Sequence, residues 1–471
     1  MDLSETSASR ALWKLSQAIT TFAAKHRSDG TVTHSKVLYI RPRFEKFEFK
    51  NGSTQMQWTQ EYVEKDEARL RDTLSMFDLI KKLPEYEEAT KLLSQVYRYN
   101  SAQVEFWLSI FAQRLSTISL TGGNHEETVD LITTFISDLE GSAKPWRVSI
   151  WLSGMWTEAE QISLIDGVII RHPKPADFIT ERPVELVGFP IWTTDPLASL
   201  GSHPSCILDI QKRAKDQLEL QRESEILLVL LRLFRVGAVI ALRAEWKAKS
   251  VTQLGTQISG GFHVLRPGET YSISIDDDKL ISEFVTRIKP LIRPEYVFGG
   301  ERLDNLATSL QRYQDALVKP EPAENRITFA IMSSEALYLK EGERLPHQRI
   351  SQRIAKVLET FGADAADTYN LFNRTYTIRS KFVHGESLEK KHREYSAQVL
   401  GQILDYTRLS ILAFLQLRDK IPQSQFLDLV DMSLLSDSAR SDLREKLKEW
   451  VPVRPVLSST HPLPPSKPLS S

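Results

Sequence analysis

The sequence predicts an α+β chain of several domains, in which a mainly helical N-terminal region and a β-containing middle lead into an all-helical bundle. Three observations point there. At 471 residues the chain exceeds what one core sustains, because single cores stop growing at roughly 250–300 residues. Apolar residues alternate with a period of two from Trp146, then recur at helical spacing from Leu303 onward. The composition, 41% hydrophobic and 26% charged, is that of an ordinary globular protein.

Residues 1–145 read as mainly helical, with amphipathic runs at Tyr62–Lys82, Glu85–Tyr97 and Val104–Ile118. A short extended piece interrupts them: Val37–Ile40, followed by Phe44–Phe49, has the β-branched and aromatic content of a strand pair. Residues 146–300 read as α+β. Val148, Ile150 and Leu152 alternate with Arg147, Ser149 and Trp151 as a half-buried strand requires. Ile162–Ile165, Asp166-Gly167 and Val168–Ile170 spell a hairpin, since Asp-Gly supplies the positive φ angles of a tight turn. Val184–Phe189, Cys206–Ile210, Gly261–Leu265 and Tyr271–Ile275 are further strand candidates, with a helix over Glu223–Trp246 between them.

Beyond the Pro/Gly-rich stretch Pro290–Gly300 the spacing is helical throughout, and residues 301–422 form the bundle. Its first helix carries Leu303, Leu306, Ala307, Leu310, Tyr313 and Leu317 on one stripe and stops at Lys319-Pro320-Glu321-Pro322. A second covers Arg326–Lys340. A third follows Pro346, with Ile350, Ile354, Val357, Leu358 and Phe361 on one face and Gly362 as its stop. A fourth, from about Ala366, places Phe372, Tyr376 and Val383 together, and a fifth spans about Glu394 to Arg418. Residues 423–450 read as a helical extension and 451–471 as a disordered Pro/Ser-rich tail.

Composition removes several function classes. Lys plus Arg (60) nearly cancel Asp plus Glu (61), so any nucleic-acid contact must come from a local basic patch. Cys206 is the only cysteine, which excludes an internal disulfide framework and any Cys-rich metal cage. The start, Met1-Asp2-Leu3-Ser4-Glu5, lacks the basic and apolar run of a secretory signal, and a cytoplasmic location is expected. Ile226–Leu242 is the most apolar stretch, but Arg232 and Arg235 interrupt it, so it reads as a buried helix and no membrane association is expected. No phosphate-binding loop, zinc helix or serine elbow is present. Asp276-Asp277-Asp278 reads as a solvated acidic turn, His125-Glu126-Glu127 as a polar loop, and the glycine pairs at 122–123, 260–261 and 299–300 as turns. Neither a metal nor a cofactor is expected.

One constellation carries chemistry: Ile378-Arg379-Ser380-Lys381-Phe382-Val383-His384-Gly385. Two other Arg/His pairs, Arg27 with His34 and Arg454 with His461, lie in a polar turn and in the tail, where nothing fixes the side chains. Arg379 and His384 instead fall at the end of an amphipathic helix, a rigid support for catalytic geometry. Histidine exchanges a proton near neutral pH, while arginine stays charged and matches phosphate oxygens with its planar fork. Together they suit cleavage of RNA by its own 2′-hydroxyl, with Arg379 stabilising the charge that grows on the phosphate. Five steps of 100° set the two residues about 140° apart on a regular helix, so a break in the helix or a second subunit must complete the site. Lys390, Lys391, His392 and Arg393 form the densest basic cluster and, with Lys381, are candidates to hold RNA phosphates; a solvated helix start is the alternative. Glu335 and Arg353 could orient the motif as a buried pair or hold the bundle together, and Tyr376 reads as core.

These residues resemble the HEPN superfamily, and within it the Apea-like branch. Arg326-Ile327-Thr328-Phe329-Ala330-Ile331-Met332-Ser333-Ser334-Glu335-Ala336-Leu337 is similar to the branch's first long helix. Gly342-Glu343 and Ser351-Gln352-Arg353-Ile354-Ala355 resemble its next landmarks, and Arg379–Gly385 its terminal signature. The resemblance covers about Leu303–Leu417, and Leu231–Gly237 is similar to a segment that often precedes such domains. It implies a helical domain that dimerises so that two Arg/His motifs face one cleft and cut RNA without metal, in proteins that often serve in phage defence or as toxins. Ser380 stands where the wider superfamily often has Asn, Asp or His, and it keeps a hydrogen-bonding group there. The superfamily also contains non-catalytic RNA-binding or dimerisation modules, which is the alternative reading. The role of residues 1–300, including any regulatory partner or trigger, is not written in a motif.

Overall fold

The computed structural model describes residues 6–28, 32–48, 54–70, 78–121, 124–174, 182–183, 205–252, 257–260, 270–298 and 304–453. They form a mixed helix-and-sheet fold whose C-terminal region is helical. Among the described residues no helix is long and apolar enough to cross a membrane.

The N-terminal part packs α1 (Ser7–Ser28) against α2 (Pro84–Tyr97), α3 (Ser101–Thr121) and α4 (His125–Leu139). Leu12, Leu15 and Ile19 meet Leu93, Leu108, Phe111 and Phe135 in a core of their own. Between α1 and α2 the chain runs through two long antiparallel strands, β1 (Val32–Glu48) and β2 (Thr54–Leu70). This corrects two expectations. Val37–Phe49 is not a strand pair, since one continuous strand reaches Glu48 and its partner comes from the following segment. Tyr62–Leu70 is strand and not helix: Glu64-Lys65-Asp66-Glu67 has good helix propensity, but backbone pairing with Ser35–Leu38 overrides it. His125-Glu126-Glu127 is likewise the first turn of α4 and no loop. Asn124 accepts from the Glu127 backbone at 2.9 Å while the Glu127 carboxylate accepts from Asn124 N–H at 3.2 Å, a capping box that satisfies two end groups of the helix.

The middle part is built on an antiparallel six-stranded sheet. Its strands are β3 (Lys144–Ser153), β5 (Gln161–Ile165), β6 (Val168–Arg171), β8 (Cys206–Ala214), β9 (Ile240–Ala248) and β10 (Gln257–Gly260), in the order β10-β9-β3-β8-β6-β5. Short β4 (Met155–Thr157) pairs in parallel with β11 (Tyr271–Ile273), and β7 (Arg182–Pro183) adds to β1. The Asp166-Gly167 hairpin is present, with Gly167 at φ +69°. The expected strands Val184–Phe189 and Gly261–Leu265 lie outside the described residues. The helix expected over Glu223–Trp246 is two elements: α5 (Gln217–Phe234) ends where the chain turns into β9. Gly237 marks the break, because a Cβ there would lie 2.4 Å from the Tyr271 ring. Beyond it Leu242, Ala244 and Trp246 are buried on alternate positions, the signature of a strand.

A 3-10 turn (Ile275–Asp277) opens α6 (Asp278–Ile288), and α7 (Pro294–Phe298) leads to the bundle. Asp277 of the acidic run is not solvated: it accepts from Arg235 at 2.7 Å and from the Ser274 hydroxyl at 2.8 Å. The bundle comprises α8 (Asn305–Val318), α9 (Ala323–Tyr338), α10 (Pro346–Glu359), α11 (Ala365–Val383) and α12 (Lys390–Leu417), followed by α13 (Gln423–Ser433) and α14 (Asp437–Trp450). Val383 faces solvent and does not join Phe372 in the core, because the helix ends just past it. The start of the expected tail is docked, with Val451 buried and Val453 hydrogen-bonded through its backbone to Gln416; residues 454–471 lie outside the described set.

Sheet and bundle share one hydrophobic core, which runs from Trp146 and Val148 through α5 to Phe414 and Leu447. Its polar stitch is Arg408 of α12. Its side chain is 1% exposed, is held by Asp405, and donates at 3.0 Å to the Leu233 and Phe234 carbonyls that end α5. These carbonyls have no partner within their own helix, and a cation suits that end of the helix dipole.

Candidate functional site

The Arg/His motif occupies the last turn of α11. Asp364 caps the start of that helix by accepting from Asp367 N–H at 2.8 Å, and Leu371, Phe372, Thr375 and Ile378 bury its inner face. Its far end is closed by a Schellman motif, in which Gly385 N–H donates to the Phe382 carbonyl at 3.1 Å and Glu386 N–H to the Lys381 carbonyl at 2.9 Å. Gly385 takes φ +73°, which suits glycine. His384 is thus the capping residue, exposed to solvent, with its backbone N–H on the Ser380 carbonyl at 3.1 Å.

The helix is unbroken between Arg379 and Val383, so the angular separation of about 140° stands. Arg379 leans on the neighbouring α9: its Nη2 donates to Glu335 Oε2 at 3.0 Å, and its guanidinium lies 5.5 Å from the centre of the Tyr376 ring. Burial, reinforced by the nearby Glu335 carboxylate, pushes the Tyr376 phenol up to about 12. Arg379 Nε is buried without a hydrogen-bond partner. Glu335, Tyr376 and Arg379 therefore form one polar cluster, half-buried between two helices.

Arg353 is not part of it. Its guanidinium, 1% exposed, bonds to Glu343, to Asp431 at 2.8 Å and to the Tyr338 carbonyl at 2.6 Å, tying α10 to the segment after α9 and to α13. Burial pushes the Glu343 and Asp431 carboxyls up, but the hydrogen bonds and charge of Arg353 outweigh it and hold both below the usual carboxylate range. Of the two readings of Glu335 and Arg353, a buried pair that orients the motif or a brace of the bundle, the pair does not form: Glu335 holds the motif arginine, and Arg353 braces the bundle through Glu343 and Asp431.

The basic cluster starts α12, beside the motif. Lys390 lies 3.6 Å from Glu394, Lys391 3.2 Å from Glu389 and Arg393 3.9 Å from Glu324. Exposed pairs of this kind contribute little and leave the cations free to exchange partners. His392 is held below its ordinary value by burial and then by the positive charge of Lys381.

Sequence reading missed two groups here. His347 of α10 stacks obliquely on Tyr376, with ring centres 5.9 Å apart; nothing in its local sequence relates it to α11, because the antiparallel α10–α11 hairpin creates the contact. Phe382 and Val383 are 40% and 51% exposed, so the end of α11 presents large apolar side chains to solvent beside His384. No family model matches the chain, and no curated protein and no solved structure shows a match.

Proposed function

We propose that this chain is a HEPN-type endoribonuclease of the Apea-like branch that works as a dimer without metal, in phage defence or as a toxin-like effector. The observation that carries the reading is the placement of His384: an exposed imidazole at a rigidly capped helix end, bordered by Phe382 and Val383. Two such ends brought together would cover those apolar groups and set the arginine and histidine of both copies around one cleft, which answers the angular separation on a single helix. In the proposed reaction the 2′ oxygen of the RNA attacks phosphorus and loses its proton to an imidazole. The bond from phosphorus to the 5′ oxygen breaks, and that oxygen takes a proton as it leaves. Arg379 stabilises the charge on the equatorial oxygens, and Lys381, Lys390, Lys391 and Arg393 hold neighbouring phosphates.

A second reading, a non-catalytic RNA-binding or dimerisation module, is favoured by one contact: Glu335 already neutralises Arg379. Under the nuclease reading the guanidinium exchanges Glu335 for phosphate, helped by the cost of about 1–3 kcal/mol of leaving its buried Nε–H without an acceptor. Parent and His384→Ala are compared on labelled RNA in excess chelator. The nuclease reading expects cleavage by the parent and a fall of about a hundredfold or more in the variant, with RNA affinity kept. Equal rates reject it, and binding without cleavage by either protein selects the second reading.

A further inference from the structure

One end of the central sheet carries a second concentration of positive charge, far along the sequence from the motif. A cleft of about 960 Å³ is lined by the ends of β3, β8 and β9, by the Asp166-Gly167 turn and by α3. Its charged residues are Arg114, Arg147, Lys212, Arg213, Lys247 and Lys249 against the single carboxylate of Asp166. In a chain with a formal net charge of −1 this is a strong local excess.

Strand register explains how it arises. Arg147 of β3 stands directly opposite Gln211 of β8 and Lys247 of β9, and Pro145 opposite Arg213, so these side chains share one face. Neighbouring strands lie about 4.8 Å apart, and same-face residues along a strand about 6.8 Å. On the core face the cations are matched: Lys212 by Glu223, which also takes Lys289, and Lys144 by Asp138 at 2.8 Å. On the other face Arg171 is held by Asp209 and Arg243 by Glu245, but compensation thins towards the end of the sheet where Arg147, Arg213 and Lys247 lie. The Arg147 side chain is 57% exposed and lies 3.9 Å from Asp209, a carboxylate that Arg171 already holds at 2.6 Å and Ser149 at 2.5 Å. Among the described residues no ion pair engages Lys247 or Arg213, and the Lys249–Asp130 pair is solvent-exposed on both sides.

We infer that this cleft binds the phosphodiester backbone of a nucleic-acid strand. The cations are spread over three strands and a helix and do not converge on one point, which suits several linked phosphates better than one isolated anion. Among the described residues the aromatic ring at the cleft, Trp146, is 4% exposed with its N–H committed to the Ala214 carbonyl, so none of them offers a stacking platform beside the charge. Recognition is therefore of backbone and not of base: weakly dependent on sequence and strongly dependent on salt. The inference rests on the charge of the cleft and stands whether or not Arg379 and His384 cut.

The test uses the full chain and short labelled single-stranded RNA and DNA of the same sequence, with binding followed by fluorescence anisotropy across a salt series. Arg147→Gln combined with Lys247→Gln is expected to weaken binding about tenfold and to make the log–log salt slope shallower by about 1.4, two single-strand phosphate contacts. Arg147→Lys with Lys247→Arg, which keeps both charges, is expected to restore binding and so exclude a folding defect. DNA has no 2′-hydroxyl to attack, so its binding is read without cleavage, which separates failure of the cleft from failure of the nuclease reading. Equal loss for RNA and DNA supports backbone recognition, and loss for RNA alone adds the 2′-hydroxyl to what the cleft reads. An unchanged affinity and salt slope in the neutralised variant, or preferential binding of polyglutamate over both nucleic acids, overturns the inference.

Discussion

Two arginines of the bundle, one fully buried and one half-buried, do different work. Arg353 is surrounded: two carboxylates and a carbonyl leave its guanidinium no spare surface. Arg379 has one carboxylate, one ring face and an unmatched N–H. A substitution should separate them. Arg353→Met strands the Glu343 and Asp431 charges together, and removing one partner of a buried network costs about 3–5 kcal/mol. The sign of its pH dependence follows from the carboxyl shifts. In the parent both carboxyls sit below their unfolded values, so the stability they contribute is full above about pH 4 and is lost as the pH falls through the folded values. In the variant the carboxylates are buried without their cation, so protonation relieves them and the gap to the parent narrows as the pH falls from 7 towards 4. Urea melts at several pH values measure this; a gap that widens on acidification contradicts the pairing. Gly385→Ala tests the cap in the same way. A Cβ there meets open space, so the penalty is the left-handed backbone alone, about 1–2 kcal/mol. The denaturation midpoint should drop accordingly, and under the proposed nuclease reading cleavage should fall with it because His384 is placed by that cap.

At the scale of elements, legibility followed how local the cause was. The bundle helices, the β3 alternation and the Asp166-Gly167 hairpin were readable because each is dictated by spacing or turn chemistry within a few residues. The misread strands share one cause, a partner distant in sequence, whereas the His125 turn was missed through a local capping box. Tyr62–Leu70 carries a helical charge pattern and becomes strand because β1 is there to pair with it. Ile240–Ala248 extends an apolar run that looks helical until β3 takes it as a neighbour. At the site, Arg379, His384 and Glu335 could be named from the sequence. That Glu335 grips Arg379 and not Arg353, and that His347 reaches Tyr376, depends on which helices lie side by side. The cleft at the end of the sheet was invisible for the same reason: Arg147, Arg213 and Lys247 come from three strands and meet only through register.

Across the whole molecule, the helical bundle and the sheet-bearing part meet without a solvent layer. Tyr313 of α8 donates to the Arg232 carbonyl at 3.1 Å, Arg232 donates to Gln314 at 2.6 Å, and Arg408 closes the end of α5. A fragment beginning at Asp304 should therefore lack a cooperative thermal transition by circular dichroism, and supplying residues 1–303 in trans should restore one. A fragment that melts sharply by itself would show the shared core to be dispensable. The Arg408 contact also bears on how such a protein could diversify. Because that guanidinium reads main-chain oxygens, many side chains could occupy positions 233 and 234 without releasing it, while the direction in which α5 ends could not change. The bundle is then no transplantable cassette: a new N-terminal half could be joined to it only by presenting a helix terminus at the same place.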